Sequence, residues 1–156
     1  MLNMKFKFNL EKVLRHRQTL EDLAQRDFQE SLSSYNVKKA EIEGLHETLQ
    51  SARQQASTLV SQTGGQVIES LKQIQDFIVL QDIRIEQENR KLAEIGKLVE
   101  AKREILQQKA RDKKILERLE TRKREEFQAE EARREQKEAD DNVSMRFEIL
   151  KKNGSP

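Results

Sequence analysis

The apolar positions of this chain fall into two long stripes with a 3.5-residue period. In the first, Tyr35, Lys38, Ile42, Leu45, Leu49, Ala52, Ala56 and Leu59 are spaced 3-4-3-4-3-4-3. That is the a/d pattern of a coiled coil. Lys38 is the one charged member, and its aliphatic stem can still cover the seam. Backwards, the phase reaches Leu14, Arg17, Glu21, Ala24, Phe28 and Ser31, with Leu20 and Leu23 just off it. In the second stripe, Val67, Leu71, Ile74, Ile78, Gln81, Ile85, Glu88, Leu92, Ile95 and Val99 run 4-3 without a break. It continues, increasingly polar, through Lys102, Leu106, Lys109, Lys113, Leu116 and Glu120. A strand alternates with period two and produces neither stripe.

Between the stripes stands Ser61-Gln62-Thr63-Gly64-Gly65. Adjacent glycines permit positive φ and suit a helix C-cap followed by a reversal. A connection this short makes consecutive helices antiparallel neighbours. The expected fold is all-α: a long antiparallel two-helix coiled-coil hairpin with a C-terminal helix overhang. Helix 1 is expected at about 10–61, the turn at 62–65 and helix 2 at about 66–138. Residues 1–142 then form a single hairpin, in which position 10 faces roughly position 119. At 1.5 Å per residue the paired length is about 75–80 Å. Asn9 is the expected N-cap, with Phe8 at N′ stapled onto Val13.

From Thr121 to Asn142 nearly every residue is charged, Gln or Ala, and Phe127 is the one large apolar side chain. Glu120–Arg124 and Glu130–Arg134 are i,i+4 pairs of the favourable orientation, each contributing about 0.2–0.5 kcal/mol. Val143, Phe147 and Leu150 follow with 4-3 spacing, then an Asn-Gly-Ser-Pro ending. A short docking turn and a tail without fixed structure both fit those residues. The domain division adopted treats 143–156 as a flexible tail.

Composition agrees with a coiled coil rather than a globular core. Of 156 residues, 37% are charged and 35% hydrophobic, whereas a globular domain uses about 45–50% apolar residues. There is no Cys, hence no disulfide or thiolate chemistry. The longest strongly apolar run, Phe77-Ile78-Val79-Leu80, is far short of the roughly 20 residues that span a bilayer. MLNMKFKFNL at the N-terminus lacks the apolar stretch of a signal peptide. These features predict a soluble protein of a reducing compartment.

The sequence offers no catalytic constellation and no cofactor. His16 and His46 stand thirty residues apart on one helix and read as solvated side chains. Gly64-Gly65 has no Lys-Ser/Thr after it, so it is not a phosphate loop. Carboxylates on exposed helices lack a cleft to shift their pKa values. The expected activity is therefore binding, not catalysis.

Two surfaces are candidates for that binding. With Ile78 at a, Phe77 falls at g, Val79 at b, Leu80 at c and Ile83 at f, so these four wrap away from the seam. A contiguous exposed apolar patch marks an interaction site. The second surface is basic. Residues 102–124 hold ten Lys/Arg against four Asp/Glu, net +6, and 125–141 hold three against eight, net −5. The first twenty residues add five Lys/Arg against one Glu. In the hairpin the two basic stretches lie side by side at its open end. Net charge is only +2 with 4% aromatics, which argues against nucleic acid and for steering toward an acidic protein cavity.

The N-terminal pattern Phe6-x-Phe8-x-Leu10-x-x-Val13-Leu14-x-x-Arg17-x-x-x-Glu21 resembles the start of the flagellar export protein FliJ family. The stretch Arg111-Asp112-Lys113-Lys114-Ile115-Leu116-Glu117-Arg118-Leu119, then Phe127, then Arg134-Glu135-Gln136-Lys137 and Asp140, resembles its end. The resemblance implies a non-enzymatic, stalk-like component of the flagellar type III export apparatus. Its partners would be the export ATPase FliI, the export gate protein FlhA and export chaperones, with peripheral association at the inner membrane through that apparatus. On this reading Arg15, Arg17, Arg111, Lys113, Lys114, Arg118, Arg122 and Arg124 are candidate contacts to the ATPase ring. Phe77, Val79, Leu80 and Ile83 are candidate contacts to the gate. Phe77 matches a family gate-contact position, while Gln81, Arg84 and Glu88 depart from it. The alternative reading is a self-associating coiled-coil scaffold unrelated to export.

Overall fold

The computed structural model describes residues 5–62 and 64–154. It contains two helices, α1 (Glu11–Val60) and α2 (Gly65–Asn153), and no strand among the described residues. The two pack against each other as an all-α helical hairpin. The chain divides into two compact units, one of Glu21–Lys109 and one made of the segments up to Leu20 and from Ala110 onward.

The Glu21–Lys109 unit is an antiparallel helix pair closed by the turn. Asp27 meets Lys102, Lys38 meets Glu88 and Arg53 meets Asp82, so residue numbers climb in α1 as they fall in α2. All the expected seam positions of this unit are buried or half-buried. Ala24, Ile42, Leu49, Ala52, Ile85 and Val99 are its most enclosed apolar side chains. Two helices shield each other on one face only, and no large side chain described is completely enclosed. Gly96 lies against Tyr35: a Cβ there would stand 3.6 Å from the ring.

The reversal is made differently from the expectation. The amides of Ser61 and Gln62 donate to the carbonyls of Thr58 and Leu59, tightening the end of α1. Gly64, at φ 153°, accepts at its carbonyl from the Val67 amide, 3.1 Å away. The glycine conformation thus serves the start of α2 rather than the end of α1, and Gly65 is already helical. Thr63 lies outside the described residues.

In the other unit the first turns of α1 lie along α2. Leu14 and Arg17 on one side, and Lys113, Leu116 and Glu120 on the other, are half-buried. Here the expected cap is corrected. The helix begins at Glu11, and Asn9 and Leu10 form a turn in which the Glu11 amide donates to the Phe8 carbonyl. Phe8 is buried while Val13 is exposed. Phe8 lines a groove of about 620 Å³ with Leu119 and Phe127. The larger apolar surface of α2 therefore takes Phe8 in place of the Val13 staple. Beyond Glu131, α2 is exposed on all sides and runs on to Asn153. The helix end expected near 138 gives way: 129–153 holds neither Gly nor Pro, and good helix formers flank the weaker stretch 140–144 on both sides; Gly154 ends the run.

Candidate protein-interaction surfaces

In the Glu21–Lys109 unit, the helical step of 100° puts Val79, Ile83 and Leu80 in one sector of α2, with Phe77 at its edge. Val79, Leu80 and Ile83 are each more than half exposed. Phe77 is 38% exposed because it rims a groove with Ser51, Ala52 and Ile74. The four positions do form one surface, but of two kinds: three free aliphatic side chains, and an aromatic one leaning on the seam. Of the neighbours that depart from the family pattern, Gln81 and Glu88 are half-buried seam residues and Arg84 is exposed.

The basic candidates, all in the other unit, also divide. Five are engaged in ion pairs. Arg15 pairs with Glu11 at 2.6 Å, Arg17 with Asp112 at 3.4 Å and Lys113 with Glu117 at 3.7 Å. Arg122 lies 3.9 Å from Glu126, and Arg124 pairs with Glu120 at 2.8 Å. The Glu126 carboxyl is held below its usual range by the hydrogen bond from Lys123, with Lys123 and Arg122 charge adding to it. Arg111, Lys114 and Arg118 are exposed and make no ion pair among the described residues. Their i, i+3, i+7 spacing aligns them on one face of α2. Ile115, 64% exposed, stands beside them.

Sequence reasoning missed two features of this unit. The Phe6 and Phe127 rings are paired with centroids 5.7 Å apart and planes at 52°, and the Arg124 guanidinium sits 5.5 Å above Phe6. The signal was available. Carrying the register on from 10 opposite 119 puts residue 6 near 123, one turn from Phe127. Ile115 was hidden because it adjoins the seam residue Leu116 and reads as part of the same apolar run.

These surfaces are apolar or cationic, and none combines a nucleophile with a base. Among the described residues no group of His, Cys, Asp and Glu could hold a metal ion. Nor is any described helix long and apolar enough to cross a membrane. Fold and surfaces together define a helical-hairpin protein whose exposed features suit contact with other proteins. Comparison with family models matches residues 6–149 to the flagellar FliJ protein, and the chain belongs to that family. No curated protein and no solved structure matches it. The family is a non-enzymatic component of flagellar protein export.

Proposed function

We propose that this chain acts as a stalk-like adaptor of the flagellar type III export apparatus. It binds the export ATPase FliI and promotes its ring, contacts the gate protein FlhA, and escorts export chaperones. It reaches the inner membrane only through that apparatus, and contributes binding rather than a catalytic step. The observation that carries the reading is the row Arg111, Lys114 and Arg118 on one face of α2, exposed and without an ion pair among the described residues, with the exposed Ile115 beside it. Cations held free of their own carboxylates remain available to an acidic partner, and an apolar neighbour beside the row adds desolvated contact. The exposed Phe77, Val79, Leu80 and Ile83 surface supports a separate contact, assigned to the gate.

The test uses the cognate ATPase. Adding the wild-type chain raises ATP turnover and the hexamer fraction. The triple variant Arg111→Glu, Lys114→Glu, Arg118→Glu keeps its helical circular dichroism but loses most of that stimulation. No stimulation by the wild type at saturation, or full stimulation by the variant, refutes the assignment.

A further inference from the structure

The last turns of α2 carry an apolar row that no described residue covers. Val143, Phe147 and Leu150 are 65%, 73% and 70% exposed, and every described residue from Ala132 onward is exposed. Their 4-3 spacing holds them within about 60° of one another around the helix. Asp140 precedes the row and Lys151 follows it, and the same helical step turns both to one flank. Neither makes an ion pair among the described residues.

We infer that this row is a self-complementary contact between two copies of the chain, packed antiparallel about a two-fold axis near residue 145. In that arrangement like flanks face each other. Asp140 of each copy meets Lys151 of the other, and Phe147 of each meets Val143 of the other. A parallel two-fold pair instead sets unlike flanks together, so Asp140 and Lys151 of one copy both face the Arg146 flank of the other and do not meet each other. Only the antiparallel pair joins Asp140 to Lys151, and the charge order selects it. A membrane is the poorer occupant, because the run 125–141 immediately before the row carries net −5 and is repelled by anionic lipid.

The contact is small. Asp140 and Lys151 are about 16 Å apart along the helix, well short of the span that a permanent dimer buries. Arg146, on the other flank, falls close to its own symmetry mate and has to turn outward. Both facts make the dimer weak and concentration-dependent. Its formation involves neither the ATPase nor the gate, so it stands or falls apart from the export reading.

Sedimentation equilibrium of the full chain tests it. The wild type dimerises reversibly with a Kd of about 0.1–1 mM. Phe147→Asp weakens association by about tenfold or more, with helicity unchanged because the side chain is exposed. Asp140→Lys and Lys151→Asp each weaken self-association. An equimolar mixture of the two, or the double variant Asp140→Lys/Lys151→Asp, restores it. Three results overturn the inference: a wild type that stays monomeric to about 1 mM, a dimer indifferent to Phe147→Asp, or a mixture no tighter than its components. Vesicles of anionic phospholipid provide the last arm. Wild-type binding to them that Phe147→Asp abolishes, without any dimer, assigns the row to a membrane and also overturns it.

Discussion

Lys38 Nζ donates to Glu88 Oε2 across the helix pair at 2.9 Å, at positions where a coiled coil ordinarily places apolar side chains. Lys38 also donates to Glu41 on its own helix at 2.6 Å, and Lys91 donates to Glu88 at 2.8 Å. Four charged residues thus close a network around a seam that has Ile42 and Ile85 in its core. A polar pair at one seam layer fixes register, because sliding either helix separates the partners and leaves each charge half-buried.

This arrangement predicts an asymmetry between single and double substitutions. Lys38→Met removes the cross-helix partner and leaves Glu88 with Lys91 alone, so the melting temperature falls. Adding Glu88→Leu removes the stranded carboxylate and recovers part or all of the loss, since matched apolar pairs replace such bridges at little net cost. Thermal unfolding followed by circular dichroism measures both. A double variant no more stable than the single one contradicts the network's cross-seam role.

The same pair sets a pH window. Hydrogen bonds from Lys91 and then Lys38 bring the Glu88 carboxyl from 4.5 down to about 2. A carboxyl whose pKa is depressed by folding contributes stability that is complete above its unfolded value and lost as pH falls through the folded one. The Lys38 ammonium is raised above 10.5 by its bonds to Glu41 and Glu88, so its contribution is complete below that value and fades as pH rises further. Melting temperature is therefore expected to change little through this network between 4.5 and 10.5. It drops on acidification from 4.5 toward about 2. Glu88→Gln flattens the acid limb relative to wild type. An unchanged acid limb in that variant excludes Glu88 as its source.

Phe77 and Ile85 lie on the same helix and separate binding from stability. Ile85 is buried on the seam, and Ile85→Ala is expected to destabilise the chain by about 2–4 kcal/mol. Phe77 is 38% exposed at the rim, and Phe77→Ala is expected to remove only about 1 kcal/mol. If Phe77 contacts the gate, its truncation lowers gate affinity far more than its small stability effect accounts for. Chemical denaturation beside a binding titration distinguishes the two. A loss as large as that of Ile85→Ala makes Phe77 a core residue.

The seam was legible because the 3.5-residue period is a property of order along the chain. Even the polar members Ser31, Lys38, Gln81 and Lys102 fall on the shielded side where that period puts them. The start of α1 was not legible in the same way. Asn9 and Phe8 fit a local capping rule, but the burial of Phe8 is decided by Leu119 and Phe127, more than a hundred residues away. The basic surface lies between these cases. Counting charge located it, but which cations remain free depends on the side chains of Glu117, Glu120, Glu126 and Asp112. That separates Arg111, Lys114 and Arg118 from their neighbours, and only coordinates supply it.

Glycine substitutions test the packing without removing any contact. A Cβ at Gly44 meets nothing within 4 Å, and one at Gly96 meets only the Tyr35 ring at 3.6 Å, an ordinary van der Waals distance. Gly44→Ala and Gly96→Ala should each stabilise the chain by about 0.5–1 kcal/mol through helix propensity. Gly64→Ala should destabilise it, because φ 153° at that position is strained for an L side chain. Urea midpoints give all three signs. A destabilising Gly96→Ala shows that Tyr35 requires the bare backbone.

The aromatic contacts at the start of α1 should behave as a local latch. Phe8 is buried, and Phe6 is paired with Phe127 beneath the Arg124 guanidinium. Few other apolar contacts hold the first turns of α1: Leu10 and Val13 are exposed, and the Arg17–Asp112 bridge at 3.4 Å is partly solvated and worth at most about 1 kcal/mol. Helix ends with so few buried contacts open at free energies well below global unfolding. Phe8→Ala removes an apolar anchor worth about 3 kcal/mol, enough to raise amide exchange there by about a hundredfold if opening is local. Hydrogen exchange should therefore accelerate from Glu11 to Leu20 in Phe8→Ala, and less so in Phe127→Ala, where Phe8 keeps Leu119. Amides of Ile42 to Leu49 should keep wild-type protection, because their seam partners are untouched. Equal acceleration in both regions shows instead that the chain opens as one cooperative unit, with the aromatic contacts contributing to its global stability.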